Sequence, residues 1–169
     1  MSDRCDKYPS LERRYCSHCQ GTVRGTEENP HFSIKEEFAN GYPVVEVLRN
    51  GGAIHEWDSH FQFGLRKAEM LLAALPVLKE FAWCSDQERL KFPPQIIGEQ
   101  EIGLRVQVFV EMRPDFERST GELVERPYLQ LVALPPASER THIGVGFRKC
   151  RAICAVQDEL RAWVRRHGR

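Results

Sequence analysis

Three groups of side chains in this 169-residue chain have the types and spacing to do chemistry. The first is Cys16-Ser17-His18-Cys19, a Cys-x-x-Cys step whose two thiolates are spaced to grip one metal ion. Zinc is the candidate cofactor, and it needs four ligands. Cys5 and His31 are the residues expected to complete the set, with His18 as an alternative. Against a thioredoxin-like use of the pair, it does not follow a strand in a βαβ pattern. The second group is the stretch 54–60, where His55, Glu56, Trp57, Asp58 and His60 put two imidazoles, two carboxylates and an indole within seven residues. It has the groups for metal binding or for a hydrolase-like acid/base pair. It equally reads as a hairpin loop anchored by Trp57, or as one that offers Trp57 for stacking.

The third group occurs twice. His60, Gln62, Gly64 and Arg66 alternate with Phe61, Phe63 and Leu65, and His142, Gly144, Gly146 and Arg148 alternate with Ile143, Val145 and Phe147. Period two places the polar members on one strand face. Lysine follows each arginine, at Lys67 and Lys149, and Tyr128 lies in the strand upstream of the second copy. Imidazole, guanidinium and phenol planes stack on bases, arginine and lysine take phosphates, and glycine lets a strand approach closely. The plain alternative is the solvated face of an amphipathic strand, with Arg-Lys marking the turn into a helix. No glycine-rich phosphate loop, no Gly-x-Ser-x-Gly elbow and no paired catalytic motif occurs. Catalysis through His60 with Glu56 or Asp58 is therefore the third-ranked reading.

The elements that must hold these groups come from an internal repeat. At a constant offset of 82, His60–Ala82 matches His142–Val164 with six identities in 23 positions: His60, Gly64, Arg66, Lys67, Ala73 and Leu78. In each copy the two-residue period gives way to a helical one. The stripe is Leu71, Leu78 and Phe81 in the first and Ile153, Leu160 and Trp163 in the second. Pro76, lacking an amide proton, is expected to kink the first helix. Tyr42–Leu48 and Arg126–Val132 match at offset 84 and read as proline-opened strands, while His31–Phe38 and Leu104–Met112 read as further strands. Arg113–Glu125 reads as an exposed polar loop.

The expected organisation is an N-terminal segment over 1–29, a first sheet-plus-helix repeat over 30–85, a linker over 86–101 and a second repeat over 102–169. The fold class is α+β: two antiparallel sheet-plus-helix units, three or four strands each, packed through their helices about a pseudo-twofold axis. One face of each sheet would then be covered and the other left open.

Composition places the chain among globular proteins, with 41% hydrophobic and 28% charged residues. No run approaches the ~18 apolar residues of a membrane span, and residues 1–15 lack the apolar core of a secretory signal. These features point to a cytoplasmic protein, in which Cys84, Cys150 and Cys154 are core thiols rather than disulfides. Charge balances at 24 basic and 24 acidic residues but is segregated. Residues 141–169 carry seven basic against two acidic residues, and 86–140 carry ten acidic against seven basic.

A duplicated antiparallel sheet followed by one helix resembles the superfamily of the Whirly proteins, the Pur-alpha repeats and the positive-cofactor-four coactivators. The residues that carry the likeness are Gly64-Leu65-Arg66-Lys67 and Gly146-Phe147-Arg148-Lys149, with strands opened by Pro43 and Pro127. The resemblance implies binding of single-stranded DNA or RNA on the open sheet face, without catalysis. Arg66, Lys67, Arg148 and Lys149 would take phosphates, and His60, Gln62, His142, Trp57 and Tyr128 would meet bases. The acidic residues of 86–140 would then have to point away from that face. A scaffold that binds a protein partner is the competing reading.

Overall fold

The computed structural model of the chain describes residues 30–50, 61–100, 102–116, 120–135 and 141–168. Three strands, β1 (Phe32–Ala39), β2 (Tyr42–Arg49) and β3 (Phe61–Gly64), form one antiparallel sheet in that order. The helices α1 (Leu65–Ala73) and α2 (Leu75–Trp83) follow directly. After the single turn α3 (Asp86–Arg89), the strands β4 (Gln95–Glu99), β5 (Leu104–Phe116), β6 (Leu123–Ala133) and β7 (His142–Val145) form a second antiparallel sheet. It leads into α4 (Phe147–Ala155) and α5 (Gln157–His167). The class is α+β, as the alternation of periods implies.

The repeat is visible in the backbone. The first helices of the two units, α1 and α4, begin and end 82 residues apart, and α2 and α5 begin at the same offset. Strand register agrees, since Val45 pairs with Phe63 as Leu129 pairs with Val145. Each β3-like strand stops at a glycine, Gly64 or Gly146, which sits extended at the N-cap. Arg66 and Arg148 therefore lie in the first turn of a helix, not on the strand face where simple alternation put them. The helix break expected at Pro76 also needs restating. It falls at Ala74, and the second unit breaks at the matching Val156 without any proline. Pro76 and its counterpart Asp158 both occupy the first turn of the helix that follows, where a missing amide proton or a negative charge is favourable.

Both sheets put one face on a common core. Val45, Val47, Phe61 and Phe63 from the first meet Val106, Val108, Leu129, Leu131 and Val145 from the second through the helices. The helices pair crosswise: α1 packs on α5, and α2 packs on α4. Leu71, Leu78, Phe81, Ile153, Leu160 and Trp163 are fully buried in this one cluster. Arginines lock the seam. Arg89, 5% exposed, donates from Nε to the Phe81 carbonyl at 2.7 Å and from Nη2 to the Ala82 carbonyl at 3.2 Å. Arg151 of the other unit donates to the same Ala82 carbonyl at 2.8 Å. The last carbonyls of α2, which lack partners within the helix, are thus satisfied from two directions.

Two stretches differ from the sequence expectation. The segment 86–101, expected as a linker, contributes α3 and the strand β4. Residues 113–125, expected as a loop, are largely a long hairpin arm: Arg113 pairs with Arg126, Pro114 with Glu125 and Phe116 with Leu123. The β1–β2 hairpin closes on Asn40-Gly41 with φ of 52° and 82°, the left-handed pair that a two-residue turn of matching twist requires.

Candidate nucleic-acid interface

Residues directly opposite in a ladder share a face, so the face of each sheet turned away from the helices can be read from the register. On the first sheet it carries Lys35, Glu37, Glu46 and Gln62. Lys35 pairs with Glu37 at 2.8 Å, and the hydrogen bond the ammonium donates to that carboxylate raises its pKa. Gln62 donates to the other Glu37 oxygen at 3.0 Å. One lysine against two glutamates leaves this face acidic, and Glu46 is only 6% exposed.

The second sheet has the opposite sign. Its outer face carries Arg105, Arg113 and Arg126 against Glu111 and Asp115. Tyr128 and Gln130 lie between them. The glycines of β7 give these two side chains their place. A Cβ on Gly146 would come within 3.0 Å of the Tyr128 ring, and one on Gly144 within 2.8 Å of the Gln130 amide. With its amide oxygen turned toward β5, Gln130 accepts from Arg113 Nε at 3.0 Å and Nη2 at 3.2 Å. This closes the middle of a face that the sequence pattern implied to be open: Gln130 is 3% exposed. It also stiffens the ground beside Tyr128.

At the end of that face, where β7 turns into α4, lies a cavity of about 80 Å³. Arg126, Tyr128, Arg148, Lys149 and Asp115 line it, together with the amino end of α4 at Gly146-Phe147. Among the described residues no side chain caps that helix end, so its first amides add positive potential to three cationic groups. Asp115 lies 3.6 Å from Arg126 Nε and offsets part of this charge. The Arg148 guanidinium packs 5.2 Å from the Phe147 ring centre, and the Lys149 ammonium lies 5.0 Å from that of Phe61 in the first unit. A half-buried aromatic ring beside clustered cations and helix amides can stack a planar group and hold an anion next to it.

The structure brings together three of the residues that the sequence singled out, Tyr128, Arg148 and Lys149. It places the others elsewhere. Arg66 and Lys67 are exposed in the first turn of α1, with Arg66 4.0 Å from Glu69. Arg66 borders a separate groove of about 750 Å³ with Arg105, Arg161 and Arg165. Arg66 thus borders one cavity and Arg148 and Lys149 another, while Lys67 lines neither. His142 is exposed at the start of β7 opposite Val132, and Gln62 belongs to the acidic sheet. Nor do the acidic residues of 86–140 all point away, because Glu111 and Asp115 share the basic face.

His60, Trp57 and the proposed ligands Cys5, Cys16 and Cys19 lie outside the described residues. His31 immediately precedes β1, where its carbonyl accepts from Asn50 N–H at 2.7 Å and its N–H donates to Asn50 Oδ1 at 2.8 Å. Burial lowers its imidazole pKa, against an opposing pull from Glu159. Among the described residues no cluster of three or more His, Cys, Asp or Glu side chains could hold a metal ion. No described helix is long and apolar enough to cross a membrane.

Sequence reasoning missed Arg126, Arg113 and Gln130. Arg126 was in view as the residue before the strand-opening Pro127, but nothing marked it as a neighbour of Arg148 until β6 was set beside β7. Comparison with protein-family models, curated proteins and solved structures yields no match.

Proposed function

We propose that the protein binds single-stranded nucleic acid at the corner of the second sheet, without catalysis. The observation that supports this most directly is the Tyr128 ring seated on Gly146 between Arg126, Arg148 and Lys149, at the uncapped start of α4. A base stacks on the phenol while the adjoining phosphates meet the cations. Arg105 and Arg113 extend the basic track along the outer face of β5. The acidic face of the first sheet repels the strand and so fixes which side of the molecule it follows. The likeness of this repeat to the Whirly, Pur-alpha and positive-cofactor-four pattern, with a pseudo-twofold pairing of its units, is consistent with that reading.

The test is fluorescence anisotropy with labelled single-stranded DNA and RNA at several salt concentrations. Three phosphate contacts give a slope near −2 in log K against log salt, at about −0.7 each. Replacing Arg148 and Lys149 by alanine removes about 1.4 of that slope. Tyr128→Ala weakens binding by about 1–3 kcal/mol with little change in slope. Undetectable binding at low salt, or a slope unmoved in the Arg148/Lys149 variant, refutes the proposal. A polypeptide partner is the second reading, favoured by the apolar groove that Leu90, Phe92, Val110 and Met112 form beside β5.

A further inference from the structure

The strand β5 is thirteen residues long, yet β4 covers only its beginning, from Glu99 opposite Leu104 to Gln95 opposite Val108. Before Gln95 the chain reads Phe92-Pro93-Pro94, and two prolines cannot extend a ladder. From Phe109 onward the outer edge of β5 has no strand beside it among the described residues.

The direction of its backbone groups follows from one hydrogen bond. Leu134 N–H donates to the Arg105 carbonyl at 3.0 Å, so the odd-numbered residues of β5 face β6. The even-numbered residues Val110, Met112 and Pro114 then face outward. Both prolines in this stretch obey that polarity. Pro114 turns its missing donor to the open edge, and Pro127 sits opposite Met112, where β6 and β5 exchange no bonds. The edge therefore offers the N–H groups of Val110 and Met112 and the carbonyls of Val110, Met112 and Pro114. Beside this edge, Val110 and Met112 border a groove of about 650 Å³ that Leu90, Phe92 and Pro94 complete, and Met112 is 42% exposed. On the outer side Glu111 and Arg113 stand exposed.

We infer that this edge pairs antiparallel with the same edge of a second copy of the chain, about a two-fold axis at Met112. In that register Met112 faces Met112, and Val110 of each copy faces Pro114 of the other. Glu111 of each copy faces Arg113 of the other. Four backbone hydrogen bonds form: Met112 N–H to Met112 carbonyl in both directions, and Val110 N–H to Pro114 carbonyl in both directions. Proline's missing donor falls where it removes only the return bond. The adjacent two-fold registers set Glu111 against Glu111 or Arg113 against Arg113, so charge selects the Met112 register. Apolar side chains meet on the core side, where Pro114 of one copy enters the groove beside Val110 of the other. The outer faces then form one surface with both Tyr128 cavities on the same side. This pairing does not depend on what those cavities bind.

Analytical ultracentrifugation of the full chain between roughly 1 and 100 µM tests it, in the range where weak pairs assemble. The expected limit at high concentration is twice the 19.6 kDa chain mass. Glu111→Arg alone and Arg113→Glu alone each set like charges opposite twice, and weaken the dimer about five- to thirty-fold. The double exchange Glu111→Arg/Arg113→Glu restores opposite charges and recovers it. Met112→Pro removes an outward N–H without touching the β6 ladder, and gives a monomer whose far-ultraviolet spectrum matches the parent's. A parent that stays monomeric throughout overturns the inference. So does a dimer that survives Met112→Pro, or one whose strength ignores the charge exchange.

Discussion

Replacing Arg89 by methionine keeps a flexible chain of similar length in the seam between the units and removes the guanidinium. Three interactions go: Nε to the Phe81 carbonyl at 2.7 Å, Nη2 to the Ala82 carbonyl at 3.2 Å, and Nη1 to Asp86 at 2.8 Å. Asp86 is exposed and returns to water at little cost. Ala82 keeps its bond from Arg151. The loss that matters is at Phe81, whose carbonyl retains, among the described residues, the Cys84 thiol at 3.7 Å, a weak donor, in place of Arg89. Stranding a buried carbonyl costs about 1–3 kcal/mol. The guanidinium also lies 5.2 Å from the Phe81 ring centre and 4.7 Å from that of Phe147, contacts together worth about 1–2 kcal/mol. Relief from holding a charge in the interior works the other way, by about a kilocalorie. The net destabilisation is about 1–4 kcal/mol, read as a fall in Tm of roughly 2–16 °C for a chain of this size. Because Arg89 and Arg151 share the Ala82 carbonyl, Arg89→Met and Arg151→Met are non-additive in a double-mutant cycle. Urea denaturation checks both statements. A change below about 0.5 kcal/mol for Arg89→Met would show that the seam rests on apolar packing alone.

The apolar seam itself predicts that Leu78→Ala and Leu160→Ala each cost about 2–5 kcal/mol, since both side chains are fully buried at matching positions. An unchanged denaturation midpoint in both variants would contradict that placement. Burial, with a smaller push from Cys154, raises the Cys150 thiol pKa well above its ordinary value of 9.0. The unfolded chain therefore loses this proton at a pH where the folded chain keeps it. Stability attributable to Cys150 is full below the pH where the unfolded thiol ionises and falls by about 1.4 kcal/mol per pH unit through the range where only the folded chain keeps the proton. Denaturation at pH 8 and pH 10 should show a shallower loss in Cys150→Ala than in the parent; parallel losses would remove Cys150 from the account.

How much of this was legible depended on whether a residue's role was periodic. The strand-to-helix handover at Gly64 and Gly146 could be read directly, because apolar spacing changes from two to near four residues there and does so twice. The buried set Leu71, Leu78, Phe81, Ile153, Leu160 and Trp163 followed for the same reason. The arm 113–125 was not legible. It carries charged side chains on both faces, so Arg113, Pro114, Asp115, Glu125 and Arg126 show no apolar alternation. The strand β4 is short and interrupted by Gly98, which concealed it in a segment that read as a linker. The proline account of the helix break was too local, since Val156 breaks without one. At the site, Arg148 and Lys149 were visible through the repeat. Arg126 and Gln130 belong to it only through β6–β7 pairing, and residue types carry no record of which strand lies beside which.

The crosswise helix packing has a consequence for how such a chain could arise. Each unit completes the other's core, so α1 and α2 alone would leave Leu71, Leu78 and Phe81 facing water. A gene encoding a single unit would yield a protein that folds only as a pair of identical subunits. Fusion of two such genes releases a constraint that a homodimer cannot escape, that every change is made twice. Arg89, which caps one seam, the strand β4 and the basic rather than acidic outer face each occur on one side only. They are differences that two halves of one chain can hold and two identical subunits cannot.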